Sequence, residues 1–160
     1  MEKVALFLFA LSAIVYTHAQ NFNENKDLRF YIKDGLFVNT DGEPYSGTVP
    51  NVNDYGTKLS EHVYHKGLKH GKAKYYHSNG VLKQLGSYAY GRKVGKWEEW
   101  NDEGVLICTS KYFDGKKEGT WYVFDDKGNK RLQMRYDNDQ KCGKWIWWDK
   151  EGKVIRKEIY

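Results

Sequence analysis

Proline, methionine and cysteine are scarce in this chain, with two of each in 160 residues. The two cysteines, Cys108 and Cys142, allow at most one disulfide. After the first 20 residues no run is apolar enough to cross a bilayer. No Gly-x-Ser-x-Gly elbow and no phosphate-cradling loop occurs, because the glycines do not open helices. Helix is itself poorly served. Within the later sequence glycine recurs every four to fifteen residues, and each costs about 1 kcal/mol in a helix interior.

What is abundant points to turn-rich β structure. Aromatic residues make up 16% of the chain, and there are 16 glycines. The net charge is +5 and the length suits one domain.

The first segment differs from the rest. MEKVALFLFALSAIVYTHAQ opens with Lys3, runs apolar from Val4 to Leu11 and on to Tyr16, and ends Thr17-His18-Ala19. Residues 1–19 therefore read as a secretory signal helix, too short to span a membrane and closed by a small-x-small exit. Cleavage is expected after Ala19, which leaves Gln20 first and places the mature chain in the periplasm or outside the cell. QNFNENKD, residues 20–27, reads as a disordered segment. LRFYIKDGLFVN, residues 28–39, reads as a hairpin around Asp34-Gly35, and residues 28–46 as an N-terminal capping hairpin.

The remainder is periodic. Gly71, Gly95, Gly119 and Gly143 are 24 residues apart, as are Gly80, Gly104, Gly128 and Gly152. Tyr64, Tyr88, Tyr112, Tyr136 and Tyr160 form a column, and so do Ala73, Trp97, Trp121 and Trp145. Tyr76, Trp100, Phe124 and Trp148 form another. Repeats start near residues 47, 71, 95, 119 and 143, so the array covers 47–160. Each unit predicts two short strands joined by glycine turns, with strands at 95–101 and 105–113 and a turn over 114–118. Trp97 and Trp100 have opposite parity and fall on opposite faces of a strand. The predicted rows are Trp97, Trp121 and Trp145 on one face and Trp100, Phe124 and Trp148 on the other, each residue stacked on its equivalent.

GKAKYYHSNGVLKQLGSYAYG, GKWEEWNDEGVLICTSKYFDG and GTWYVFDDKGNKRLQMRYDND resemble the MORN-repeat variant of the bacterial YwqK family, and DGEPYSGTV resembles the segment that opens such arrays. The resemblance covers about residues 28–160. It implies an all-β, elongated, single-layer antiparallel β-meander. It also implies a module that binds partners or lipids, and the family label implies an antitoxin of a toxin–antitoxin system.

Candidate chemistry is sparse. His62, His65, His70 and His77 occupy different columns and do not predict the converging ligands of a metal site. Glu98 and Glu99 point to opposite faces, which does not make a glycosidase pair. Cys108 and Cys142 should lie about 14 Å apart at ordinary strand spacing, too far to bond. No catalytic, cofactor or metal residues are expected. Lys69, Lys93, Lys117 and Lys141 share one column in the turn before the repeat glycine, and Lys72, Lys96 and Lys144 share another. They predict a basic edge opposite a mostly acidic one. The charges of the last strand, KVIRKEIY, read as discouraging another chain from stacking there. The expected function is a non-enzymatic, exported interaction or scaffold module with a protein partner. The alternatives are an antitoxin or immunity-like protein, or a binder of an anionic membrane surface or acidic glycan through the lysine edge. Export argues against nucleic acid as a partner.

Overall fold

The computed structural model describes residues 30–160. The signal segment 1–19, the polar segment 20–27 and the start of the predicted hairpin lie outside the described residues. Among the described residues the secondary structure is strand alone. The glycine-punctuated, aromatic-rich units form β3 (Gly47–Val52), β4 (Lys58–His65), β5 (Leu68–Tyr76), β6 (Leu82–Ala89), β7 (Arg92–Trp100) and β8 (Leu106–Phe113). They continue through β9 (Lys116–Lys117), β10 (Gly119–Phe124), β11 (Lys130–Asp137), β12 (Gln140–Lys141), β13 (Lys144–Trp148) and β14 (Val154–Ile159). All belong to one antiparallel sheet of 12 strands, laid down in chain order from β3 at one edge to β14 at the other. The two edges do not pair, so the meander stays an open ribbon. The short strands β9 and β12 pair back onto β8 and β11.

Two kinds of turn alternate. On one long edge a two-residue turn has positive φ at both central positions, as at Tyr90-Gly91 and Asp114-Gly115. This is the twist-matched hairpin turn that favours glycine. Because only two residues are spent, the strand resumes at once. Lys116 and Lys117 are therefore strand residues, paired with Phe113 and Tyr112, rather than part of the longer turn expected over 114–118. On the other edge Asn101 accepts the backbone N–H groups of Glu103 and Val105 through its Oδ1. Asn53, Asp125 and Asp149 repeat the arrangement, a side chain standing in for a backbone turn.

The period extends to the irregularities. A register shift recurs before Val52, Tyr76, Trp100, Phe124 and Trp148. Such bulges bend a strand and raise its twist. Repeats are tied edge to edge as well. The Gly91 and Gly115 amides donate to the carbonyls of Lys69 and Lys93.

The array starts against a small cap. β1 (Tyr31–Lys33) and β2 (Leu36–Val38) form a separate hairpin around Asp34-Gly35. Phe30, Phe37 and Val49 are buried together, with Tyr45 and Tyr64 against them. The Phe37 ring stacks on Tyr64 at 4.3 Å, so the cap hands its core directly to the repeat face.

Gly119 has φ +65°, and a Cβ there would sit 3.3 Å from the Lys111 side chain. A β-branched residue is disfavoured in this left-handed conformation. Gly119→Val is therefore expected to lower stability by about 1–2 kcal/mol, read as a drop in the thermal midpoint. An unchanged midpoint would contradict the backbone assignment.

Candidate functional site

The conspicuous side chains converge on one face of the ribbon. Cross-strand pairing puts Trp97 opposite Ser110, Trp121 opposite Met134 and Trp145 opposite Glu158. The tyrosines Tyr88, Tyr112 and Tyr136 share that face, on the intervening strands. The result is an alternating ladder. Centroid distances run 5.1 Å for Tyr88–Trp97, 6.3 Å for Trp97–Tyr112 and 5.1 Å for Tyr112–Trp121. They continue at 5.3 Å for Trp121–Tyr136, 5.5 Å for Tyr136–Trp145 and 5.0 Å for Trp145–Tyr160. The tryptophans do not stack on each other. Each equivalent lies two strands away, and the tyrosine of the strand between fills the gap. These tilted and edge-on contacts suit ring quadrupoles and add about 0.5–1.5 kcal/mol each beyond burial.

Two positions of the ladder depart from the repeat. Where the tryptophan column holds Ala73, the facing position holds His62, whose ring meets Tyr75 at 4.9 Å and Tyr64 at 6.4 Å. The Tyr75 hydroxyl lies 3.1 Å from that of Tyr88 and carries the contact into the next repeat. Trp97, in turn, lies over Gly86, where a Cβ would come within 2.1 Å of the indole. Trp97 is 1% exposed, the most buried of the large side chains. Its indole N–H has no partner, whereas those of Trp121 and Trp145 donate to the carbonyls of Lys111 and Arg135. Gly86 lets the ring sink onto β6 at the expense of that bond. Tyr75 and Gly86 escaped the sequence reading, and His62 entered it only as one of four histidines that do not converge on a metal. The period-24 column of 62, 86, 110 and 134, compared for size with 73, 97, 121 and 145, carries the signal.

The lysines fall into two groups. Lys69, Lys93, Lys117 and Lys141 are cross-strand partners of Tyr64, Tyr88, Tyr112 and Tyr136. They fold over the ladder instead of projecting from a turn. The Lys93 ammonium stands 4.1 Å from the Trp97 ring and 5.1 Å from Tyr112. Lys117 spans Trp121 and Tyr136, Lys141 spans Trp145 and Tyr160, and Lys69 lies 5.3 Å from Tyr88. Burial lowers the pKa of Lys69 and of Lys93. Each cation–π contact is worth about 0.5–2 kcal/mol. Lys72, Lys96 and Lys144 lie on the opposite face and are exposed. Lys111, paired with Lys96, joins them there and is also exposed. Lys96 is ion-paired to Glu98 at 2.6 Å. Phe113, on the same face, is 73% exposed.

The column of Tyr76, Trp100, Phe124 and Trp148 follows the bulges. It meets cations and turn groups in place of the expected row of rings. Lys58 lies 5.8 Å from Tyr76 and Lys130 5.6 Å from Trp148. His77 Nε2 donates to the Trp100 carbonyl at 2.8 Å. Phe124 approaches Tyr122 of its own strand at 6.3 Å. The acidic edge is used within the fold. At Asp125, burial opposes ionisation, but hydrogen bonds from Asn129, Arg131 and Lys127 outweigh it and hold the carboxyl down to about 2. Two shallow hollows lie between neighbouring turns of that edge, one beside Trp148 and Lys130, the other beside Asp125 and Arg131. Cys108, in β8, and Cys142, between β12 and β13, are both free.

Two segments, residues 69–90 and 141–160, match the family model described as MORN repeat variant. Two of the repeats thus match MORN-type units. No curated protein matches it. Among solved structures it is similar to the crystal structure of accessory secretory protein 1, 2 and 3 in Streptococcus pneumoniae, at 12% identity and a TM-score of 0.23. That similarity covers 88% of this chain and 22% of the other, so this chain spans about a fifth of its length.

The ring of His62 has a testable consequence. Burial, and then the nearby Lys69 charge, lower its pKa to about 4. An unfolded histidine takes its proton near 6.5. Between these values the unfolded chain binds more protons. Stability is therefore full above pH about 6.5 and falls as pH drops toward about 4. The thermal midpoint of the parent protein is expected to decline across that window, and that of His62→Gln to decline less. Equal slopes would contradict the buried neutral ring.

Proposed function

We propose that the ribbon is a non-enzymatic, exported interaction module of the cell envelope whose protein partner lies on the face opposite the aromatic ladder. The observation that carries this reading is the asymmetry of the faces. On one, the rings are buried or half-buried beneath the chain's own lysines, with Tyr160 at the end more open. On the other, Lys72, Lys96, Lys111 and Lys144 are exposed, beside the exposed ring of Phe113. A partner with acidic groups around an apolar contact fits such a surface. The MORN-type repeats support a binding role over a catalytic one. The carboxylates at the turn edge support it too, since Asp125 and Asp149 spend their oxygens on backbone N–H groups. Export rests on the sequence of the first 19 residues, with its apolar stretch and small-x-small exit.

An anionic membrane surface or acidic glycan is the second reading, favoured by the cross-strand pairing of the like-charged Lys96 and Lys111, of which Lys96 is partly offset by Glu98 and Lys111 is exposed. Like charges directly opposite are unfavourable until something neutralises them.

The test replaces Lys72, Lys96 and Lys144 by Glu together in the mature chain. Cross-linked capture of an envelope protein is expected to fall by about tenfold or more, equivalent to about 1.4 kcal/mol, with the thermal midpoint unchanged. Undiminished capture would reject this face. Strong binding to anionic vesicles that vanishes with salt would move the reading to the second alternative.

A further inference from the structure

One row of side chains crosses the ribbon on the face opposite the ladder. Cross-strand partners share a face, and Lys72 pairs with Ser87, Lys96 with Lys111, and Thr120 with Arg135. Lys72, Lys96, Thr120 and Lys144 hold equivalent places in successive repeats. The row stays continuous where one repeat meets the next. A Cβ at Gly119 would meet the Lys111 stem at 3.3 Å, and one at Gly143 would meet the Arg135 stem at 3.2 Å. From β5 to β13 in sheet order the row therefore reads Lys, Ser, Lys, Lys, Thr, Arg, Lys.

All five cations of the row are exposed. Of the five, Lys96 alone is ion-paired among the described residues, to Glu98. Short hydroxyl side chains, Ser87 and Thr120, fill the two gaps. The row spans about 29 Å at ordinary strand spacing. Neighbouring cations stand one or two strands apart, about 5–10 Å, which is close to the Debye length at physiological salt, so their fields add along the row. Carboxylates flank it. Glu98 lies two residues from Lys96 toward the acidic edge, and Asp137 two residues from Arg135 toward the other edge. A flat anionic surface laid on this face meets those carboxylates together with the cations, whereas a narrow chain meets the row alone. Phe113, two residues from Lys111 and 73% exposed, stands beside the row.

We propose that the row holds an extended acidic segment of the protein partner, running along the ribbon and across its strands. About nine residues of extended chain cover the row at about 3.4 Å each, and every second side chain faces it. The segment's carboxylates meet the five cations, with the Arg135 guanidinium able to hold one of them through two parallel bonds. Its peptide groups reach the Ser87 and Thr120 hydroxyls. Phe113 favours a polypeptide, which brings apolar side chains as well as carboxylates. This inference rests on the placement of the partner on this face under the proposed function, and it names the part of the partner that binds there.

The experiment measures binding of a labelled acidic peptide of about ten residues, alternating Glu and Ser with one central Leu, to the mature chain by fluorescence anisotropy. Lys111→Glu combined with Arg135→Glu changes the row. Lys83→Glu combined with Lys157→Glu makes the same change of charge outside it. The parent is expected to bind the peptide, the row variant at least about tenfold more weakly, and the other variant within about threefold of the parent. A peptide of about four residues with the same alternation spans fewer cations and should bind the parent at least about tenfold more weakly than the long one. A parent that does not bind, equal losses in the two variants, or equal binding of the short and long peptides would overturn the proposal. Polygalacturonate or phosphatidylglycerol vesicles bound in preference to the peptide would overturn it as well, and would assign the row to a glycan or a membrane. Capture of an envelope protein that still depends on Lys72, Lys96 and Lys144, with no binding of the peptide, would reject the acidic segment and leave the face standing.

Discussion

The whole ribbon depends on one constraint: a sheet with no second layer has to cover its own apolar face. The interleaved Trp–Tyr ladder meets it. Each tryptophan is clasped between the tyrosines of its neighbouring strands, and a lysine from the tyrosine's cross-strand partner lies over both rings. The lysine stem contributes apolar cover and its head sits on the ring faces while keeping some water. The tyrosine of one strand always touches the tryptophan of the next, so each repeat is incomplete without its neighbour. Stability in such an array is a sum of nearest-neighbour terms.

The constraint also explains the exceptions. At Ala73 the missing indole is replaced by the ring of His62 from the facing column. At Gly86 the missing side chain makes room for Trp97 to sink. Where the column holds Ser110 and Met134 instead of glycine, the indole N–H groups of Trp121 and Trp145 donate to the carbonyls of Lys111 and Arg135. The cap obeys the same rule, since Phe37 stacks on Tyr64 as a ladder ring would.

Much of this was legible from spacing alone. The 24-residue columns give two strands per repeat and the opposite faces of Trp97 and Trp100, because parity and period need no knowledge of contacts, while the open meander was what the resemblance to MORN-type repeats implied. The length of the turns was not legible. A two-residue turn at Asp114-Gly115 and a longer loop over 114–118 fit the same letters, and only the positive φ at both central residues decides between them. That difference moved Lys69, Lys93, Lys117 and Lys141 from a free edge to the roof of the ladder. It also shifted the candidate binding surface to Lys72, Lys96, Lys111 and Lys144. The interleaving of Tyr112 between Trp97 and Trp121 was hidden for a related reason. Period links equivalents, while contact links neighbours.

The central claim is tested most directly by removing one middle ring and comparing it with the ring next to it in sequence. Tyr112 lies in the ladder between Trp97 and Trp121, and Phe113 points to the other face, 73% exposed. In denaturant unfolding, Tyr112→Ala should cost about 2–3 kcal/mol, with loss of the near-ultraviolet circular dichroism of the flanking indoles. Phe113→Ala should stay within about 0.5 kcal/mol of the parent. Equal losses for the two, or a larger loss for Phe113→Ala, would contradict a fold held together by its ladder.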